Sequence, residues 1–188
     1  MDSGIGYRLI YRLSRMGHHF FSFVSRRILL MVSFIGLVAC VICFAQLERR
    51  LGAPILDVLP GYSLIEVKDS LSVYGAEGRK IYAWCVLTLD LFFPVCYLIF
   101  CSGLIVVLTA PGRTQWLSLL PVFLALIDFL ENLQIFNMLI FPSSITERQV
   151  HLASVTTQAK HAMTGVLLVF FVVLVFYNIS LKLQSKRM

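Results

Sequence analysis

Four charged side chains stand inside stretches of sequence that are otherwise apolar. They are three acids and one lysine: Asp90, Asp128, Glu131 and Lys160. A charge in the lipid-embedded part of a helix costs about 2.5–3.5 kcal/mol to insert, so such residues usually face the protein interior and mark function. Carboxyl groups held in a low dielectric are suited to donate or accept protons. These four residues are therefore the candidate catalytic groups.

Other polar side chains lie close to these four in the sequence. Asp128, Glu131 and Asn132 are spaced i, i+3 and i+4, so one helix face carries all three. A lysine or an amide beside carboxyl groups can hold a phosphate or a developing oxyanion, and we expect Lys160 to bind an anionic group of the substrate. The candidate substrate-binding residues are Asn132, Arg79, Tyr82, Thr157 and His161.

The same residues do not form a recognisable metal or cofactor motif. Lys160 and His161 are adjacent, so on a helix they point about 100° apart and are poorly placed to face one centre. The chain has no His-x-x-x-His or Glu-x-x-His pair, no Gly-rich phosphate loop and no nucleophile elbow. We therefore predict neither a metal ion nor a cofactor.

The 5 cysteines all fall inside apolar segments. The spacing of Cys40 and Cys43 resembles that of four-helix thiol oxidoreductases, but the pair lies in the middle of a span and has no second pair to exchange with. A reactive thiolate needs a lowered pKa and access to water, and lipid provides neither. Residues 37–40 also resemble the cleavage box of a lipoprotein signal, yet the sequence after Cys40 stays apolar. We expect packing cysteines in an uncleaved first span.

Composition identifies the solvent in which these residues must work. Of 188 residues, 59% are hydrophobic and 14% are charged, with a mean hydropathy of +0.85. Soluble domains average about 45–50% apolar and 25% charged residues, so both a soluble globular protein and a disordered chain are excluded. The net charge is +6, but the basic residues flank apolar runs, so we predict no nucleic-acid partner.

Four segments are long enough to cross a bilayer, which takes roughly 20 apolar residues in a helix. They cover residues 28–45, 81–110, 116–141 and 151–181. Backbone groups in lipid must be satisfied within the protein, so these segments must be helical. We predict an all-α, polytopic membrane protein: a four-transmembrane-helix bundle that forms a single domain over residues 1–188.

Basic residues in the flanks predict the orientation of the chain. The amino-terminal arm of residues 1–27, the loop after the second span and the tail of residues 182–188 carry one acid, Asp2, and many basic residues: Arg8, Arg12, Arg15, Arg26, Arg27, Arg113, Lys182, Lys186 and Arg187. In the other loops acids and bases balance. By the positive-inside rule, both termini are cytoplasmic and the protein is integral to the plasma or inner membrane. The basic and aromatic arm suits the headgroup layer.

The external loop of residues 46–80 contains one predicted helix. Ser63 and Glu66 fit a capping box, and Gly75 is a natural stop. We expect a short helix over residues 63–74 that lies on the outer membrane surface and roofs the polar site. A second box, Ser144 to Glu147, is expected to open the fourth span.

The charged residues of three spans are expected to meet in the outer half of the membrane. Counted from the cytoplasmic ends of their spans, they lie at depths of roughly 20–33 Å. Pro94 can kink the second span and free a backbone carbonyl there.

Three functions remain open for such a site. The first is an enzyme that acts by acid–base chemistry on a lipid or lipid-linked substrate. The second is a non-catalytic accessory or assembly subunit, in which the polar cluster sets the helix register or joins a second copy or a partner subunit. The third is a proton- or ion-coupled transport component, which would require an oligomer. The enzyme is our preferred hypothesis.

Overall fold

The structure is a computed structural model that describes residues 19–109 and 115–185. Every regular element in this part of the chain is helical, which confirms the all-α prediction there. The four long helices are α1 (Arg27–Leu51), α2 (Leu64–Leu108), α3 (Leu120–Ile140) and α4 (Glu147–Ser185). Three 3-10 helices join them: Leu56–Val58, Gln115–Leu119 and Pro142–Ser144.

Each long helix contains a window long and apolar enough to cross a membrane. The helices extend beyond the predicted spans, because a helix continues past the apolar boundary until a capping residue ends it. α1 runs on to Leu51, where Gly52 takes a left-handed conformation with φ 71°. The predicted arm up to residue 18, Arg113 and the tail beyond residue 185 lie outside the described residues, so the orientation of the chain stays a prediction.

The predicted loop helix is the first part of α2. The Ser63 hydroxyl and the Glu66 carboxylate form the expected capping box. At Gly75 the backbone leaves helical geometry, with φ 64° and ψ −177°, a region that is essentially restricted to glycine. Beyond Gly75 the chain resumes as a helix at once, whereas we expected a loop up to residue 80. Its position at a membrane surface remains a prediction.

The start of α4 differs from the expected capping box. The amide of Gln149 donates to the Thr146 hydroxyl over 3.2 Å, so Thr146 is the N-cap residue of this helix. The Ser144 hydroxyl instead donates to the Phe141 carbonyl within the preceding 3-10 helix. The expectation that Ser144 caps the fourth span was therefore wrong by two residues.

Helix α2 is central to the packing. It packs against α1 on one side and α3 on another, and α4 packs mainly on α3 and less on α2. Within the described residues, α1 and α4 make little contact with each other. Apolar residues form one core around Leu47, Tyr82 and Ile135 and a second around Tyr97, Leu124 and Leu167. Asp90 of α2, Asp128 and Glu131 of α3 and Lys160 of α4 lie along their helices between these two cores.

Candidate functional site

Lys160 of α4 is the centre of the site. Its Nζ lies 3.6 Å from Asp128 Oδ1 and 3.8 Å from Asp57 Oδ2, and it forms a close ion pair with Glu131 Oε2. The lysine side chain is 12% exposed and that of Glu131 is fully buried. A charge this deeply buried is tolerated only when it is paired, so the three carboxyl groups are what allows the lysine to lie here.

Hydroxyl groups complete the pairing on α3. Thr157 Oγ1 donates to Glu131 Oε1 over 2.5 Å, and the Tyr97 hydroxyl donates to Asp128 Oδ2 over 3.1 Å. The Tyr62 hydroxyl lies 3.3 Å from Thr157 Oγ1. Burial raises the pKa of Tyr62 to about 12, so this hydroxyl keeps its proton at neutral pH. Asp128 and Glu131 thus meet Lys160 together, as their i, i+3 spacing predicts.

Asn132 is held at the site by the proline of α2. Pro94 has no N–H, so the carbonyl of Asp90, four residues earlier, loses its helical partner. The Asn132 side-chain amide donates to this carbonyl over 2.8 Å. Asn132 therefore positions the backbone of α2 beside Asp90, and its own Oδ1 is buried without a hydrogen-bond partner among the described residues.

The carboxyl group of Asp90 differs from the other acids of the site in that it has no partner among the described residues. Asp90 is 4% exposed, and no residue in the described part of the chain donates a hydrogen bond to its side chain or pairs with it. Its side chain lines a cavity. Polar groups inside proteins usually have a protein or water partner, so a carboxyl group that faces a cavity is a candidate for contact with a ligand.

The cavity next to Asp90 has a volume of about 330 Å³. Its apolar lining comes from all four helices, and charged and polar side chains of α2, α3 and α4 line it as well. Val58, His161 and Thr164 line it and are exposed, so they form its rim. The full lining is Phe44, Asp57, Val58, Asp90, Phe93, Tyr97, Cys101, Leu124, Asp128, Lys160, His161, Thr164 and Leu167.

The 3-10 helix Leu56–Val58 contributes Asp57 and Val58 to the cavity lining. We call this helix and the following residues up to Tyr62 the roof of the cavity. The Leu59 carbonyl lies 3.0 Å from His161 Nε2, and the Tyr62 amide donates to Ser154 Oγ over 2.9 Å. Gly61 has φ 145°, a backbone conformation that favours glycine, and a Cβ there would lie 2.6 Å from Gln158 Nε2, so that the end of this side chain would have to move. The predicted roof, the helix over residues 63–74, contributes nothing to the cavity lining.

Two predicted binding residues lie away from the cavity. The Arg79 guanidinium donates to the Leu71 carbonyl over 2.9 Å, where it supports the chain around Gly75. The fully buried Tyr82 accepts a hydrogen bond from the Leu56 amide over 3.0 Å, which anchors the roof. Both residues therefore hold the structure around the site and do not line it.

Lys160 and His161 both line the cavity. Lys160 also faces three carboxyl groups, which compete with an anionic group of a substrate for its ammonium, so the anion-binding role of this lysine stays a prediction. His161 lines the same cavity as Lys160 despite their different directions on α4, because it lies at the rim. Thr157 acts on Glu131 and does not line the cavity.

Asp57 is the main residue that sequence reasoning missed. It lies in a loop with as many acids as bases, which gave no reason to separate it from solvated charges. Its side chain is 13% exposed. Burial raises the pKa of Asp57, although the nearby Lys160 opposes the change. Tyr62 and Tyr97 were also not predicted as partners of the site, since tyrosine is common at membrane boundaries for other reasons.

The acids do not form a metal site in the described residues. No group of three or more His, Cys, Asp or Glu side chains there is arranged to hold an ion. The Lys160 ammonium occupies the point on which Asp57, Asp128 and Glu131 converge. All five cysteines are free thiols.

Comparison of the chain with protein-family models, with curated proteins and with solved structures finds no match.

Proposed function

We propose that the protein is an integral membrane enzyme that acts on a lipid or lipid-linked substrate by acid–base chemistry. The observation that supports this most strongly is the cavity, whose lining combines apolar side chains with the carboxyl groups of Asp57, Asp90 and Asp128. Such a combination fits an amphiphilic molecule, with its chain against the walls and its reacting group against the acids. Ligand sites are typically mostly apolar, with a few convergent polar groups.

The position of the cavity provides an entry route. It is lined by Phe44 of α1 and by Thr164 and Leu167 of α4, two helices that make little contact with each other in the described residues. A substrate can therefore enter sideways between α1 and α4 from the lipid. With both termini on the cytoplasmic side, as the basic flanks predict, the cavity opens to the outer leaflet of the plasma or inner membrane.

The two acids that face the cavity from the spans take different roles. Asp128 is paired with Lys160 and Tyr97, whereas Asp90 is unpaired within the described chain. Two carboxyl groups in contrasting environments are suited to different roles in one site. We assign Asp128 as the group that removes a proton from the substrate and returns it, and Asp90 as the carboxylate that orients the substrate.

The remaining polar residues act through these two. Lys160 and Glu131 position Asp128, because Lys160 bridges both carboxyl groups. Asn132 positions Asp90 through its backbone carbonyl. None of these three groups needs to contact the substrate in order to affect the rate.

A lipid-conversion assay tests this function. The purified protein is incubated in nanodiscs that contain a total membrane lipid extract, and the lipids are compared by mass spectrometry before and after. We expect the wild-type protein to consume one lipid class. Asp90→Asn and Asp128→Asn should each abolish the conversion while the protein stays folded. The matched control is Asp69→Asn, the same change at an exposed position of α2, which should keep full activity.

The assembly hypothesis makes the opposite prediction for the same variants. If the cluster only holds the helices together, Asp90→Asn and Asp128→Asn should unfold the protein or dissolve an oligomer, and no lipid class should change with the wild-type protein. That pattern would contradict the enzymatic proposal.

A further inference from the structure

Three aromatic rings that line the cavity pack against one another. Phe44 and Phe93 meet edge to face, with ring centroids 5.5 Å apart and planes at 88°. Phe93 and Tyr97 repeat this arrangement at 5.5 Å and 77°. All three rings line the cavity. Clusters of aromatic faces are the usual recognition element for quaternary ammonium and other organic cations, because the ring faces carry partial negative charge.

The charge of the lining favours the same kind of ligand. Among the described residues that line the cavity, three are acids, Asp57, Asp90 and Asp128, and Lys160 is the one lysine or arginine. Its ammonium already lies within 4 Å of two of these acids and of Glu131. In the described lining the acids therefore outnumber the lysine, and no second lysine or arginine is present to hold an anionic head group.

The unpaired Asp90 side chain gives independent support. It is nine-tenths buried or more, lines the cavity and has no partner in the described chain. A carboxyl group that faces a cavity lined mostly by apolar side chains favours a partner of opposite charge. A cation in the cavity would supply the missing partner.

From these observations we infer that the cavity binds the cationic head group of an amphiphile, a protonated amine or a quaternary ammonium, between Asp90 and the three aromatic rings. This inference rests on the proposed function in that it treats the cavity as a substrate site. A volume of about 330 Å³ suits the head group and the first part of one chain. The rest of the alkyl chain of the amphiphile would extend into the lipid between α1 and α4.

Binding of two matched amphiphiles tests the inference. The full-length protein in dodecyl maltoside micelles receives hexadecyltrimethylammonium or hexadecyl phosphate at low mole fraction, and bound ligand is counted by native mass spectrometry. We expect the cationic probe to bind at least about tenfold more tightly than the anionic one, consistent with a desolvated cation–π and carboxylate site. Equal binding of the two probes, or tighter binding of the phosphate, would overturn the inference.

Two matched pairs of variants locate the bound cation. Asp90→Asn should weaken binding of hexadecyltrimethylammonium about tenfold, and Phe93→Leu should weaken it several-fold. The controls are Asp69→Asn and Phe92→Leu; Phe92 neighbours Phe93 but is 53% exposed on the outside of α2. Unchanged affinity in a folded Asp90→Asn or Phe93→Leu variant would contradict the placement. If Asp90→Asn does not fold, the Phe93→Leu variant still tests where the cation binds, and the comparison of the two probes on the wild-type protein still tests whether a cation is preferred.

The binding experiment and the lipid-conversion assay can reject the two hypotheses independently. Selective binding of the cation without conversion of any lipid would leave the binding inference standing and remove the enzyme. Conversion of a lipid with an anionic or uncharged head group, without selective binding of the cation, would keep the enzyme and remove the inference.

Discussion

Lys160 decides the arrangement of the acids around it. One ammonium within 4 Å of three carboxyl groups compensates only part of their charge, and the fourth acid, Asp90, is left over. A purely structural ion pair would need one acid for the one lysine. Here three carboxyl groups share Lys160 and Asp90 has no partner in the described chain. The surplus of acids is therefore the residue-scale reason to assign chemistry to this site.

Removal of the lysine should be strongly destabilising. In Lys160→Met the buried carboxyl groups lose their common partner, and breaking a buried ion pair in this way costs about 3–5 kcal/mol. The free energy of unfolding in mixed micelles measures the loss. The control is Lys80→Met, which breaks a pair with Glu77 whose side chains are 69% and 79% exposed, and it should change the stability far less. Equal losses in the two variants would mean that Lys160 is not buried as described.

Asp57 should make stability depend on pH. Its pKa is raised by burial, so the folded protein holds this proton more tightly than the unfolded chain does. Stability from this group therefore falls as the pH rises above about 4, the ordinary aspartate value, until the folded pKa is passed. Relative to the wild type, Asp57→Asn should gain stability over that pH range.

Thermal unfolding of both proteins between pH 4 and pH 8 checks this sign. The difference between the two curves isolates Asp57 from the charged groups around it, which include Lys160, Glu48 and His161. Parallel curves across this range would contradict the raised pKa.

At the scale of elements, α2 and α3 are joined at a position where α2 lacks one backbone hydrogen bond. Pro94 removes one helical hydrogen bond, and Asn132 replaces it from the neighbouring helix. The proline was predicted to free a carbonyl, but the identity of the donor could not be predicted, since several polar residues of α3 were within reach. The pairing fixes the register in which Asp90 and Asp128 face one cavity.

A double-mutant cycle tests this coupling. Asn132→Leu alone leaves the Asp90 carbonyl without a donor, which should cost about 1–3 kcal/mol. In a Pro94→Ala background the alanine N–H restores the helical bond, so Asn132→Leu should cost clearly less there. Free energies of unfolding for the four proteins give the coupling. Strictly additive effects would show that the carbonyl does not link the two residues.

The elements differ in how far the sequence could predict them. The four long apolar helices and the capping box at Ser63 follow from local patterns, namely apolar length and the spacing of a hydroxyl and a carboxylate. The roof could not be predicted in this way, because Asp57 meets a lysine more than one hundred positions later in the chain and its segment has no periodicity. The cap at Thr146 was missed because the 3-10 helix before it uses Ser144.

At the scale of the whole molecule, α1 and α4 both line the cavity but make little contact with each other in the described residues. One end of the helices is held together by the first core and by the roof, and the other end by the second core. Asp90, Asp128, Glu131 and Lys160 lie between the two cores. This arrangement suits the proposed enzyme, whose substrate would enter from the lipid between α1 and α4.

The most direct measurement is lipid conversion by a protein whose cavity entrance is blocked. Thr164→Trp places a large ring at the exposed rim of the cavity, and Val166→Trp places the same ring on α4 at a 61% exposed position that does not line it. If the cavity is the substrate site, Thr164→Trp loses the conversion while Val166→Trp keeps it, and both stay folded. Wild-type conversion by a folded Thr164→Trp protein would contradict the assignment of the cavity.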